Sequence, residues 1–199
     1  ILFGGAYYGI FHEINNRRGL YREVFEKYAK VKGGHVKAHN IYFRQEGDKI
    51  MGVSDLVVTN VGVQSLAHPV LYLNPGLEVT ALTGEQGENL SYTRESQAIL
   101  LEKALQPGEE ILLHLVYEGK IDEAICFPDF TNEEFHDTRL MSFFQTYHSM
   151  FRHGRCFARV GDDYTLLFPE CLWYPVAVSP VNVSAPLARQ YDFTRYRLK

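Results

Sequence analysis

The run QAILLEKALQPGEEILLHLVYEG at residues 97–119 constrains this chain more than any other stretch. In its second half Ile111, Leu113, Leu115 and Tyr117 alternate with Leu112, His114, Val116 and Glu118. A period of two marks a strand, whose successive side chains leave opposite faces. Pro107-Gly108 supplies a turn, because proline presets φ and glycine accepts conformations that other residues resist. The connection is longer than a two-residue hairpin, so the sequence predicts either a wide loop or a passage from one sheet to another. A strand apolar on both faces belongs inside a core. That pattern places 110–119 centrally in a mainly β domain.

Further strand signals lie on either side. Segments 36–45 and 49–60 flank Glu46-Gly47-Asp48, a hairpin signal. Short strands follow at 69–74, 77–82 and 91–94. Beyond the central run, 156–160 and 164–168 flank Gly161-Asp162-Asp163, and 191–198 alternates again. No sustained helical period interrupts them, which argues against a βαβ fold; strands at this spacing make a sandwich or a barrel, and the expected architecture is an antiparallel β-sandwich. Two segments read as helix. At 17–30, Leu20, Val24 and Tyr28 recur at spacing four, as do Tyr21 and Phe25, with charges on the other side. Asn15 and Asn16 serve there as caps, Gly33-Gly34 as the stop, and the stripe is expected to dock on its own sheet. A short helical segment is expected near 140–152, where Phe144, Tyr147, His148 and Phe151 fit helical spacing but also permit a strand. The expected organisation is an apolar stub and amphipathic helix over 1–34, then one sandwich domain over 35–199.

The opening ILFGGAYYGIF is apolar but short of the ~20 residues that span a bilayer. It reads as an edge strand or packed segment, or as the outer end of a membrane helix. With no initiator Met at the start and a strand running into Lys199, the chain is expected to be a piece of a larger protein.

A formal charge of −4 offers no basic field for nucleic acid. The three cysteines, Cys126, Cys156 and Cys171, fit no zinc-ligand spacing. They read as three buried thiols, or, in an oxidising compartment, as one bridge with Cys156–Cys171 as the first pair to test. His12-Glu13 lacks the second histidine of HExxH, because the fifth position is Asn16. GxSxG, P-loop and GxGxxG patterns are absent from the sequence. The pairs Glu109-Glu110, Glu133-Glu134 and Asp162-Asp163 sit in turns as sequence neighbours, a poor arrangement for an acid/base dyad. His114 reads as a hydrogen-bonded structural histidine, and His148 and His153 have no carboxylate fixed beside them. No catalytic residue, cofactor or metal ligand is therefore expected. One cluster stands above background: Arg152, Arg155 and Arg159 with Trp173 and Tyr174. It reads as a salt-bridged platform over one end of the sandwich, or as a recognition surface, since Trp, Tyr and Arg dominate binding hot spots.

The order LYLNPGLEVTAL, LSYTRESQAILLEKALQPGEEILLHLVYEG, FPECLWYPVA and YDFTRYRL resembles the N-terminal β-sandwich of aminopeptidase N-type zinc metallopeptidases, over roughly 36–198. The HExxH and GxMEN signatures of their peptidase domain are absent here, so no catalytic role carries over. HEINNRRGLYREVF after an apolar run is similar to bacterial, Bacteroides-type membrane proteins, in which ABC transporter permease segments precede an extracytoplasmic aminopeptidase-like region. The resemblance implies a non-catalytic extracytoplasmic module on the periplasmic side of the inner membrane, working in binding or domain scaffolding. Its partners would be neighbouring domains of the same chain and a peptide at a sheet edge, with the membrane reached only through flanking segments. The alternative is the substrate-side domain of an active zinc aminopeptidase, which an HExxH downstream would mark. A carbohydrate-binding sandwich would need a row of exposed aromatics, and Trp173 is the only Trp.

Overall fold

The computed structural model describes residues 2–28, 34–126, 128, 131–133, 158–178 and 194–199; the side chains of 2–8, 10 and 11 lie outside that description. The described chain runs from a helix, α1 (Leu2–Tyr28), into strands β1 (His35–Glu46), β2 (Lys49–Thr59), β3 (Val70–Tyr72), β4 (Leu77–Thr83) and β5 (Tyr92–Glu95). It continues with β6 (Ala98–Leu101), β7 (Glu110–Gly119), β8 (Ala158–Val160), β9 (Thr165–Leu167) and β10 (Arg195–Leu198). The helical segment expected near 140–152 falls outside the described residues.

The strands form a five-stranded sheet in the order β10-β1-β2-β7-β4, a three-stranded sheet β3-β6-β5, and the hairpin β8-β9. The two larger sheets face each other across one core. Leu56, Val58, Leu113 and Leu115 of the first meet Leu71, Ile99 and Leu101 of the second, all essentially without solvent contact. All pairings are antiparallel except β10, which runs parallel to β1.

The 97–119 run is not a hairpin. Its halves, β6 and β7, lie in different sheets. The intervening chain crosses the sandwich edge, where buried Leu105 exchanges two backbone hydrogen bonds with Leu66. Buried Asn60 holds the crossing by donating to the Leu105 carbonyl at 2.9 Å and accepting from the Gly108 amide at 2.8 Å. Gly108, at φ +76, makes the bend.

The expectation that β7 is covered on both faces is also corrected. Ile111, Leu113, Leu115 and Tyr117 are buried, but Leu112 and Glu118 are exposed and His114 and Val116 half-buried. The strands covered on both faces are β3 and β6. Leu71, Ile99 and Leu101 point into the sandwich, while Val70, Tyr72 and Ala98 pack on the other side with Tyr21 and Tyr28 of α1. The three-stranded sheet is thus a middle layer, with the large sheet below and the helix above.

A close approach in the large sheet has a measurable consequence. Gly52 lies directly opposite Tyr117, and a Cβ at Gly52 would sit 2.2 Å from the Tyr117 ring. The ring is fully buried and cannot swing into solvent. Gly52→Ala is expected to destabilise the protein by about 2 kcal/mol through overpacking. Adding Tyr117→Ala should recover part of that loss in a double-mutant cycle by urea denaturation. Strict additivity would show that the contact is not the cause.

α1 differs from the expected helix in starting fifteen positions earlier, so Asn15 and Asn16 lie inside it and cap nothing. No proline interrupts 2–16, and the apolar opening simply continues the helix. The buried stripe also differs. Leu20 is 59% exposed, whereas Arg18, Tyr21 and Tyr28 are buried. None of the described helix is long and apolar enough to cross a membrane.

Candidate functional site

The docking of α1 is built from polar contacts. Arg18 Nη1 donates to the carbonyls of Ala124 and Cys126 at 3.2 and 2.7 Å. Arg17 Nη1 and the Tyr21 hydroxyl both donate to Asp122 Oδ2, at 2.9 and 2.6 Å. Burial, and then the hydrogen bond to Asp122, raise the Tyr21 phenol well above its usual pKa. Asp122 in turn caps the 3-10 turn Glu123–Ile125 by accepting from the Ala124 amide. Farther along, Gln97 donates to the Tyr21 carbonyl at 2.7 Å, and Lys27 pairs with Glu95 at 2.7 Å.

The second concentration of chemistry is an aromatic group at the β10–β1 edge of the large sheet. Strand β1 contributes His39 and Phe43, β10 contributes Tyr196, and the loop after the 3-10 turn Pro169–Cys171 contributes Trp173 and Tyr174. Leu172, in the left-handed region at φ 52, redirects the chain out of that turn. Asn74 secures it by donating its backbone amide to the Leu172 carbonyl and its side-chain amide to the Cys171 carbonyl. Trp173 meets Tyr174 edge-on at 4.7 Å and Phe43 at 5.7 Å between ring centroids. His39 lies 5.6 Å from Tyr174 and 5.7 Å from Tyr196, and these two tyrosines are 5.9 Å apart. Burial, reinforced by Tyr196, pushes the Tyr174 phenol up.

His39 is the unusual member. It is 1% exposed, and its Nε2 has no hydrogen-bond partner among the described residues. Burial lowers its pKa from 6.5 to about 4, against a small opposing pull from Asp55. The imidazole is therefore neutral at pH 7 and held by ring contacts.

Of the residues singled out as a surface, Trp173 and Tyr174 belong to this aromatic group, both half-buried. Arg159 makes its contacts inside its own hairpin. It pairs with Asp163 at 2.9 Å and lies over the Tyr164 ring at 4.3 Å. Arg152 and Arg155 lie outside the described residues, as do His148, His153 and Cys156. His114 is hydrogen-bonded, its Nδ1 2.7 Å from Asp55 Oδ1 across the β2–β7 pair. His12 and Glu13 are exposed on α1. Among the described residues no three His, Cys, Asp or Glu side chains are grouped as around a metal ion.

Sequence reasoning missed His39 because of the β-bulge between Val36 and Ala38. The extra residue shifts the alternation, so His39, Ile41 and Phe43 face inward where unbroken counting from Val36 turns them out. It missed the partner of Cys171 as well. The two thiols that meet are Cys126 and Cys171, with sulfurs 3.6 Å apart and both residues fully buried.

No protein-family model matches the chain, and no curated protein matches it. Among solved structures, an M1 zinc metallopeptidase from Deinococcus radiodurans is similar, with TM-score 0.40 and 24% identity over 46% of this chain and 21% of that one. Leukotriene A4 hydrolase from Saccharomyces cerevisiae is similar with TM-score 0.36 and 10% identity, over 45% of this chain and 15% of that one. The matched part thus spans about a fifth or less of the length of those proteins.

Proposed function

We propose that the chain is a non-catalytic extracytoplasmic module of a membrane transport protein of the ABC-permease kind that also carries an aminopeptidase-like region. Its work is to orient neighbouring domains of the same chain. The observation that carries this reading is the polar clamp between α1 and the sandwich. A helix attached only by an apolar stripe could slide or roll, because dispersion contacts are weakly directional. One whose Arg18 guanidinium is buried on the Ala124 and Cys126 carbonyls has a single seat. A displacement of α1 is then passed to the middle sheet and the segment after β7. The edge strand β10, exposed at all four residues, would suit a peptide added as a further strand.

Two measurements test the proposal. The purified chain should release no amino acid from aminoacyl p-nitroanilides, with or without zinc. Zinc-dependent turnover would end the non-catalytic reading. Spin labels at exposed Glu13 on α1 and Glu118 on β7 should give one narrow distance distribution. A broad distribution would show that the helix does not transmit its position to the sandwich.

A further inference from the structure

We propose that Cys126 and Cys171 are a disulfide site, closed when this chain folds in contact with a disulfide oxidant such as glutathione disulfide or a dithiol-disulfide exchange protein. This goes beyond the scaffold reading and does not depend on it.

The geometry is set by groups outside the pair. The carbonyl of Cys126 is held by Arg18 at 2.7 Å, and that of Cys171 by the Asn74 side-chain amide at 2.7 Å. Arg18 comes from α1 and Asn74 from the chain after β3, so both cysteine backbones are fixed by distant parts of the fold. Between them the sulfurs rest 3.6 Å apart. A disulfide needs about 2.05 Å, so the two sulfurs are in contact and bonding requires them to close further. The bond would join the end of the 3-10 turn Glu123–Ile125 to the turn Pro169–Cys171 that precedes Trp173 and Tyr174. It would close a loop with a sequence separation of 45.

The order of events follows from burial. In the folded chain both residues have no solvent contact, and contact with the Cys171 thiol, then burial, push the Cys126 thiol up. The protonated thiol is a poor nucleophile, so exchange belongs to the unfolded or opening chain. There one cysteine thiolate attacks the oxidant's disulfide and releases one glutathione thiolate. The second cysteine attacks the resulting mixed disulfide and releases the other. The protein loses two electrons and two protons, and one glutathione disulfide becomes two glutathione thiols.

The test is to refold the reduced, unfolded chain in a glutathione redox buffer. The product is then denatured, treated with N-ethylmaleimide before and after reduction, and weighed by mass spectrometry. One maleimide is expected before reduction and three after, with a peptide pair joining Cys126 to Cys171. The Cys156→Ala variant should keep that pair, and its melting temperature should be roughly 5–10 °C higher oxidised than reduced. Three maleimides before reduction, or a bridge through Cys156, would overturn the proposal. So would an oxidised Cys156→Ala protein that melts no higher than its reduced form.

Discussion

Arg18→Ala is expected to lower the stability of the protein by about 3 kcal/mol and to release α1 from the sandwich. The side chain is 3% exposed and donates to two carbonyls of the 124–126 segment. Hydrogen bonds to a charged group contribute about 1.5–3 kcal/mol each, and their loss leaves buried carbonyls unpaired. Alanine also removes the aliphatic stem of a buried side chain. Arg17 provides the contrast. Its bond to Asp122 is just as short, but its side chain is 40% exposed, so Arg17→Ala should lose less than about 1 kcal/mol. Urea denaturation should show the difference as a lower midpoint for Arg18→Ala. Hydrogen exchange should quicken along 14–28 while the β2 and β7 amides keep their relative protection. An unchanged midpoint would mean that the helix is held by its tyrosines, and the clamp would lose its role.

The second large effect is a loss of stability in acid that His39 controls. Its folded pKa of about 4 lies below the usual value of 6.5, and burial is the cause. The unfolded chain therefore takes up the proton first as pH falls. The full contribution is present above pH 6.5 and is lost as pH drops through the range from 6.5 to about 4. One pKa unit is about 1.4 kcal/mol, so the whole fall approaches about 3 kcal/mol. His39→Phe keeps an aromatic ring among Tyr174 and Tyr196 and has nothing to protonate. Urea midpoints at pH 7 and pH 4.5 should fall more steeply for the parent protein than for His39→Phe. Equal slopes would place the acid sensitivity in other groups.

Both residues show where local sequence stops being informative. Arg18 sits in a helix whose charged positions read as the solvent side, and its buried guanidinium bonds the carbonyls of 124 and 126, more than a hundred positions away in the sequence. His39 is turned inward by one extra residue in β1. The hairpins around Gly47 and Gly161 were legible because turn and strands are contiguous. The alternation of β7 was legible too, but which sheet it joins depends on β2 and β4, its partners on either side. Likewise the two-sided burial argued for β7 proved to belong to β3 and β6. The short runs VLY and AILL carry the same apolar signal in fewer residues. Trp173 and Tyr174 stood out by residue type alone. Their partners His39, Phe43 and Tyr196 come from two other strands.

The parallel pairing of β10 with β1 has a mechanical consequence. Residue 35 opens β1 at one end of the large sheet, and Lys199 leaves β10 toward the opposite end. Tension between those two points would run along the strands and strain the β1–β10 backbone bonds together, including Lys199 N to Ile41 O at 2.9 Å. An antiparallel last strand would unzip bond by bond under the same pull, whereas this one resists in shear.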